Sequence, residues 1–224
     1  MNIVTLDVNH PSWLAALKQL PHDVYHLPDY VAIDARRTKT LPEAFLLQEN
    51  DKIFFAPYLL RSCADISESL GAKVYDIISP YGYPGILMSD AAANHPEFPD
   101  FALEQFRHAL QARGVCSVFL RLHPILGENF AKAFQSNHLT ANGQTVSIDL
   151  TLDEAQMWAK TRKGHQSTIN KCTRLGFNAR TVSFAKYIDK FVSIYEETMN
   201  RVKAIDSYYF NLDYFEGLLT LGEK

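Results

Sequence analysis

Residues 44–60, Ala-Phe-Leu-Leu-Gln-Glu-Asn-Asp-Lys-Ile-Phe-Phe-Ala-Pro-Tyr-Leu-Leu, decide the fold. Two apolar runs, 44–48 and 52–60, stand on either side of the polar turn Glu49-Asn50-Asp51, which is the pattern of a β-hairpin. Residues 73–78 read as a further short strand that runs into the turn-dense segment Ser79-Pro80-Tyr81-Gly82-Tyr83-Pro84-Gly85. Residues 101–113 have helical spacing, with Gly114 as the stop. Residues 116–122 read as a buried strand ended by Pro124, 129–137 as a small helix and 144–150 as a strand of β-branched character. Upstream, Ser12 can cap a short helix over 13–20 that Pro21 ends, and 25–35 holds one or two helical turns before the basic cluster Arg36, Arg37 and Lys39. Strands and helices alternate, so the class is α/β or α+β, a mixed sheet flanked by helices.

Beyond residue 150 the pattern changes. Thr151 with Glu154 has the form of a capping box and opens a long helix. On a helical wheel Trp158, Thr161, His165, Ile169 and Cys172 share one stripe, and Lys160, Lys163, Lys171 and Arg174 lie opposite. Gly176 ends that helix, 177–182 reads as a strand, 185–201 as a helix, and Asn211 or Asp213 starts a last helix through Leu219. A single strand cannot bury so many helical faces. The expected division is a complete domain over 1–150 and an incomplete second domain over 151–224.

Composition excludes several classes of function. The 224 residues carry 22 lysines and arginines against 25 acids, a formal charge of -3, so any basic site is local rather than spread over the whole surface. With 47% apolar and 21% charged residues the chain is neither disordered nor a membrane bundle. The start of the chain shows no basic segment leading into an apolar one, and a cytoplasmic protein is expected. Cys63, Cys116 and Cys172 are odd in number and widely spaced, which predicts reduced, mostly buried thiols. The eight histidines are scattered through the chain, and no metal is expected.

Gly-x-Ser-x-Gly, Walker A, Gly-x-Gly-x-x-Gly and His-Glu-x-x-His are all absent from the sequence. The segment 79–85 fixes an irregular backbone after a strand; Tyr81 and Tyr83 then either line a cleft or simply pack. In Phe119-Leu120-Arg121-Leu122-His123-Pro124, strand alternation puts Arg121 and His123 on one face. They form a cleft wall with His123 as a proton carrier, or else Arg121 pairs with Asp76 or Asp149 and His123 bonds backbone. From 155 to 188 there is no acid but seven lysines and arginines, which either attract phosphate or form a solvated helix face. Arg162 and Gln166 fall beside the apolar stripe. Arg201 ends a helix, where the dipole already favours it, and Tyr208, Tyr209 and Phe210 follow after a short link.

Taken together, Ser-Pro-Tyr-Gly-Tyr-Pro-Gly at 79–85, Phe-Leu-Arg-Leu-His-Pro at 119–124, the 144–150 run leading into Thr151 and Trp158, Ile169-Asn170-Lys171 through Gly176, and Tyr-Glu-Glu-Thr-Met-Asn-Arg at 195–201 followed by Tyr-Tyr-Phe at 208–210 resemble the FemAB-like branch of the GNAT acyltransferase superfamily, the peptidoglycan bridge-forming aminoacyltransferases. The resemblance implies two GNAT-like domains with an acceptor cleft between them, the second only partial in this chain. It implies an N-acyl or N-aminoacyl transferase acting on an amino group of a peptidoglycan or polysaccharide precursor. The donor would be acyl-CoA or aminoacyl-tRNA, with tRNA as a possible partner and no tightly bound cofactor. His123 and Tyr83 would be catalytic, and Arg36, Arg37, Tyr81, Arg121, Arg162, Arg201, Tyr208 and Tyr209 would bind substrate. The chain departs from the pattern in three ways: the sheet of the second domain, a coiled-coil insertion and a Gln/Arg-x-x-Gly-x-Gly loop for acyl-CoA are not seen. The alternative expectation is a non-catalytic binding module that recognises an envelope precursor or a partner protein.

Overall fold

The structure is a computed structural model, and it describes residues 1–64, 73–127 and 139–223. The hairpin forms as expected: β2 (Leu41–Glu49) pairs antiparallel with β3 (Lys52–Ser62), with Asn50 in the left-handed conformation at the turn (φ 56°). β1 (Asn2–Asp7) adds on the outer side of β2. On the other side of β3 lie β4 (Tyr75–Ile78) and, at the opposite end, β5 (Leu87–Met88), both antiparallel to it. β6 (Val115–Phe119) then pairs parallel to β4, giving the order β1-β2-β3-β4-β6. Pro57 sits inside β3 without disrupting it. It lies between the stretch paired with β5 and the stretch paired with β4, so its missing N–H leaves no ladder bond unmade on that side.

Alternation along the hairpin creates two cores. Phe45, Leu47, Phe54, Ala56 and Tyr58 face Phe98, Ala102, Phe106 and Leu110 of the helix α4 (Phe98–Gln111). Ala44, Leu46, Ile53, Phe55 and Leu59 point the other way, against Trp13, Ala16 and Leu17 of α1 (Pro11–Leu17) and Val31 and Ala35 of α2 (Pro28–Thr38). The result is a mixed sheet between helical layers, with the short α3 (Asp90–Ala93) leading into α4. α4 starts three residues earlier than expected and stops at Gln111 with Ala112 as its cap, and Gly114 turns the chain two residues later at φ 77°.

The described chain divides into two compact units, residues 1–139 with 188–224 and residues 140–187. The second unit holds α5 (Glu154–Lys160), α6 (Lys163–Arg174) and the start of α7 (Phe184–Val202), the rest of which belongs to the first. The first also contains α8 (Leu212–Gly222), which packs on α2. Gly217 makes that approach possible, since a Cβ there would stand 2.9 Å from Ile33 Cγ1.

Several local expectations are corrected. Ser12 does not cap α1; Pro11 is its first residue and His10 Nδ1 accepts the Ser12 N–H at 3.2 Å. Asp153 and Gln156, not Thr151 and Glu154, form the capping box of α5, because Asp149 already holds the Thr151 N–H and hydroxyl. The single long helix is two, separated at Thr161 and Arg162, whose ψ angles of 129° and 134° are extended. Residues 144–150 and 177–182 are not strands. A strand needs a partner for its backbone, and no described strand pairs with either, which leaves Val146 95% and Phe177 72% exposed. β6 is shorter than expected and only Val115 in it is buried, because it is the outer strand of the described sheet. None of the three cysteines is buried: Cys116 is exposed and the other two half-buried. The helix expected at 129–137 lies outside the described residues. No described helix is long and apolar enough to cross a membrane.

Candidate functional site: a tyrosine surface at the ends of two parallel strands

β4 and β6 are parallel neighbours, so the segments that follow them, 79–85 and 120–127, emerge side by side. Ligand crevices in open sheets form outside such strand ends. The two segments are bonded together: the Ser79 N–H donates to the Phe119 carbonyl (3.0 Å) and Ser79 Oγ accepts the Arg121 N–H (2.8 Å). Gly85, at φ 50°, passes so close that a Cβ would stand 2.7 Å from Leu122 Cα.

Tyr81 is held from α2 at both polar groups of its backbone. Asp34, 1% exposed, accepts the Tyr81 N–H on Oδ2 at 2.7 Å. The Tyr30 hydroxyl donates to the Tyr81 carbonyl at 2.9 Å and lies 3.3 Å from the Tyr214 hydroxyl on α8. The Tyr81 ring stays at the surface, edge-on to Tyr208 (6.4 Å between centroids) and Phe210 (4.8 Å). Tyr83 is also exposed, 6.3 Å from Tyr25. The Tyr195 hydroxyl donates to the Tyr208 carbonyl, and Tyr209 donates to Asn200 Oδ1 at 3.0 Å. Thus the loop after β4 and the link between α7 and α8, far apart in sequence, share one aromatic surface.

Electrostatics make this a surface of donors. Burial pushes the Tyr81 phenol up, as does neighbouring Tyr208, while Arg121 and Arg37 pull against them without prevailing. Burial likewise raises Tyr25, Tyr30, Tyr195 and Tyr214. At neutral pH these phenols therefore keep their protons and donate hydrogen bonds rather than act as bases.

The sequence candidates are distributed unevenly around it. Arg37 is inside the cluster, bonded to Asp34 (Nε 2.8 Å, Nη2 2.7 Å) with its guanidinium over the Phe210 ring at 4.7 Å. Arg121 is exposed near Tyr81, and no described carboxylate pairs with it; Asp76, one of its anticipated partners, is held by Arg61 in a two-point ion pair. Arg36 is exposed in the last turn of α2. Arg201 is exposed in the last turn of α7, with no described ion pair or hydrogen bond of its side chain. Arg162 belongs to the second unit, at the start of α6.

His123 is engaged at both ring nitrogens. Nδ1 accepts the N–H groups of Ile125 (3.1 Å) and Leu126 (2.9 Å), which places its proton on Nε2, directed at Asp23 Oδ2 (2.7 Å). Asp23 also faces His26, fully buried, whose Nε2 donates to the Pro84 carbonyl at 2.6 Å. Burial works to raise the Asp23 carboxyl, but the bonds and charge of His26, with the Tyr25 N–H and His123, outweigh it and hold Asp23 below its ordinary value. A depressed carboxyl contributes stability above its unfolded value and loses it as pH falls through the folded one. We therefore expect Asp23→Asn to be less stable than the parent at pH 7, by roughly 1–2 kcal/mol. The difference should close below about pH 4, in thermal melts run from pH 7 to 2.5; a gap that persists at pH 2.5 would assign the loss to something other than the charge.

Asp34, Tyr30, Asp23 and His26 were not singled out in the sequence. Asp34 had a legible signal, an acid on the buried face of α2 among Tyr30, Val31 and Ile33 with Arg37 one turn on. Among the described residues no group of three or more His, Cys, Asp or Glu could hold a metal ion. A separate hollow of about 660 Å³ between α4 and β6 is lined mainly by Leu103, Phe106, Leu110, Leu120 and Leu122, and the one cation among its described lining residues, Arg107, is held by Glu104. It lacks the converging polar groups of the tyrosine surface. No protein-family model, no curated protein and no solved structure matches this chain.

Proposed function

We propose that the chain takes part in N-acyl or N-aminoacyl transfer to an amino group of a peptidoglycan or polysaccharide precursor, as in the FemAB-like acyltransferases it resembles, with the tyrosine surface as acceptor wall. The observation that carries this reading is the meeting of Tyr81 with Tyr208 and Phe210, which joins two of the motifs on which the resemblance rests. The phenols would donate hydrogen bonds to the acceptor, and Arg121 and Arg36, both exposed, would meet its anionic groups. The amine loses a proton as its nitrogen attacks the donor carbonyl, the developing oxyanion needs donors, and collapse breaks the thioester C–S or ester C–O bond, the CoA sulfur or tRNA ribose oxygen leaving with a proton. Tyr83 and His123 are the proton carriers in this reading. The donor, acyl-CoA or aminoacyl-tRNA, would arrive in the cytoplasm for each turnover, with no cofactor resident.

One observation favours the second reading, a binding module without catalysis. To accept a proton on Nδ1, His123 must give up two backbone N–H groups, and to use Nε2 it must release Asp23. The test combines equilibrium binding of nucleotide-linked and lipid-linked envelope precursors with single-turnover transfer from acyl-CoA and from aminoacyl-tRNA. Precursor binding with transfer that falls at least tenfold in Tyr83→Phe supports the transferase. Binding without transfer from either donor supports the module, and the absence of both removes the envelope precursor altogether.

A further inference from the structure

We infer that Asp34 and Arg37 are a positioning pair that sets the spacing of Tyr81 and Tyr208, and that Arg37 itself touches no ligand. The functional meaning of this spacing rests on the reading of the surface as an acceptor wall; the geometry of the pair does not.

Arginine reads anions with a planar fork of five N–H groups, and a fork already occupied cannot read another. In Arg37, Nε and Nη2 are given to Asp34 Oδ1, at 2.8 and 2.7 Å, and Nη1 points to the Ser207 carbonyl at 3.4 Å. Its flat face is covered by Phe210 at 4.7 Å and by Tyr214 at 6.0 Å, and the side chain is only 18% exposed. Asp34 is a buried carboxylate, and such a group is stable only while its partner remains. An incoming phosphate or carboxylate would have to strip Arg37 from Asp34 and leave that charge unpaired. Arg36, its neighbour, is exposed, as is Arg121, so these two are open to an anion where Arg37 is not.

The pair also joins the two halves of the surface. Asp34 holds the Tyr81 N–H with its second oxygen, while Arg37 holds the segment that carries Tyr208, through Ser207 on one side and Phe210 on the other. Positions 34 and 37 are one helical turn apart on α2, so their backbone spacing is fixed by the helix. The route from Tyr81 to Tyr208 thus runs through two side chains on a rigid element. This is how a binding geometry is preset rather than assembled when ligand arrives.

The test uses Asp34→Asn and Arg37→Lys in the full chain, with the Tyr81–Tyr208 ring–ring NOE as the first readout and inorganic pyrophosphate as the binding probe. Both variants should lose at least half of that NOE while the hairpin amides keep their chemical shifts, and Arg37→Lys keeps the test open if Asp34→Asn fails to fold. Unchanged ring–ring NOEs in the folded variants would overturn the inference. If Arg37 were instead a ligand contact, Arg37→Lys would weaken pyrophosphate binding at least threefold while the Tyr81–Tyr208 NOE stayed intact; under the inference the NOE falls in that variant. Arg121→Gln should weaken pyrophosphate at least threefold with the NOE intact. A parent chain that binds neither pyrophosphate nor envelope precursors would count against the acceptor reading alone, because the NOE still decides the role of the pair.

Discussion

Trp13→Ala is expected to lower the free energy of unfolding by about 3–5 kcal/mol, a large part of the 5–15 kcal/mol or so that holds a typical domain together. Trp13 is fully buried, edge-on to Phe55 with ring centroids 5.5 Å apart, at the centre of the core beneath α1 and α2. Alanine removes that contact and leaves a cavity that the rigid sheet can only partly close. A second loss follows at the indole nitrogen, which donates to the His26 carbonyl at 2.9 Å. His26 in turn holds the Pro84 carbonyl, so the damage is directed at the loop that carries Tyr81 and Tyr83. Trp13→Phe keeps most of the volume and gives up the N–H, and it should cost about 1–2 kcal/mol. Urea titrations followed by circular dichroism would measure both. Equal losses in the two variants would show that the ring volume is not what matters.

The parts of the fold legible in the sequence were those with their own period. The hairpin could be read because its apolar runs are interrupted by a three-residue polar turn, and α4 because Gly114 lies just past its end. Segments 144–150 and 177–182 have strand composition, but a strand is defined by a neighbour's backbone, which composition does not carry. Within the site, Tyr81, Tyr83, Tyr208 and Arg37 could be singled out because aromatic and basic residues are conspicuous beside prolines and glycines. Their supports could not be found so easily. Asp23, His26 and Tyr30 look ordinary in the sequence and acquire their roles from bonds to Pro84, His123 and Tyr81, each far away along the chain. Arg37 shows the same limit from the other side: its charge is visible in the sequence, while the carboxylate and ring that occupy it are not.

Gly85→Ala should be nearly as damaging as the loss of Trp13, for a reason lodged in backbone rather than side chains. Gly85 has φ 50°, a left-handed conformation that costs an L residue about 1–2 kcal/mol. The added Cβ would also meet Leu122 Cα at 2.7 Å and the Arg121 carbonyl oxygen at 3.0 Å, and these are backbone atoms that cannot rotate away. The loop after β4 and the segment after β6 must then separate, which strains the Ser79 bond to Arg121 and the His26 bond to Pro84 together. A total loss of roughly 3 kcal/mol is expected. Gly82→Ala is a useful contrast, since φ 97° is also unfavourable but the atoms nearest its Cβ belong to the Tyr25 ring, at 2.3 Å, and a half-exposed ring can swing outward. That variant should lose about half as much stability while shifting the resonances of Tyr25 and Tyr83. Gly143→Ala, with nothing within 4 Å of the new Cβ, should be nearly silent. If Gly85→Ala proves as mild as Gly143→Ala in denaturant titrations, the two strand-end segments are not packed against each other in solution, and the tyrosine surface has no fixed floor.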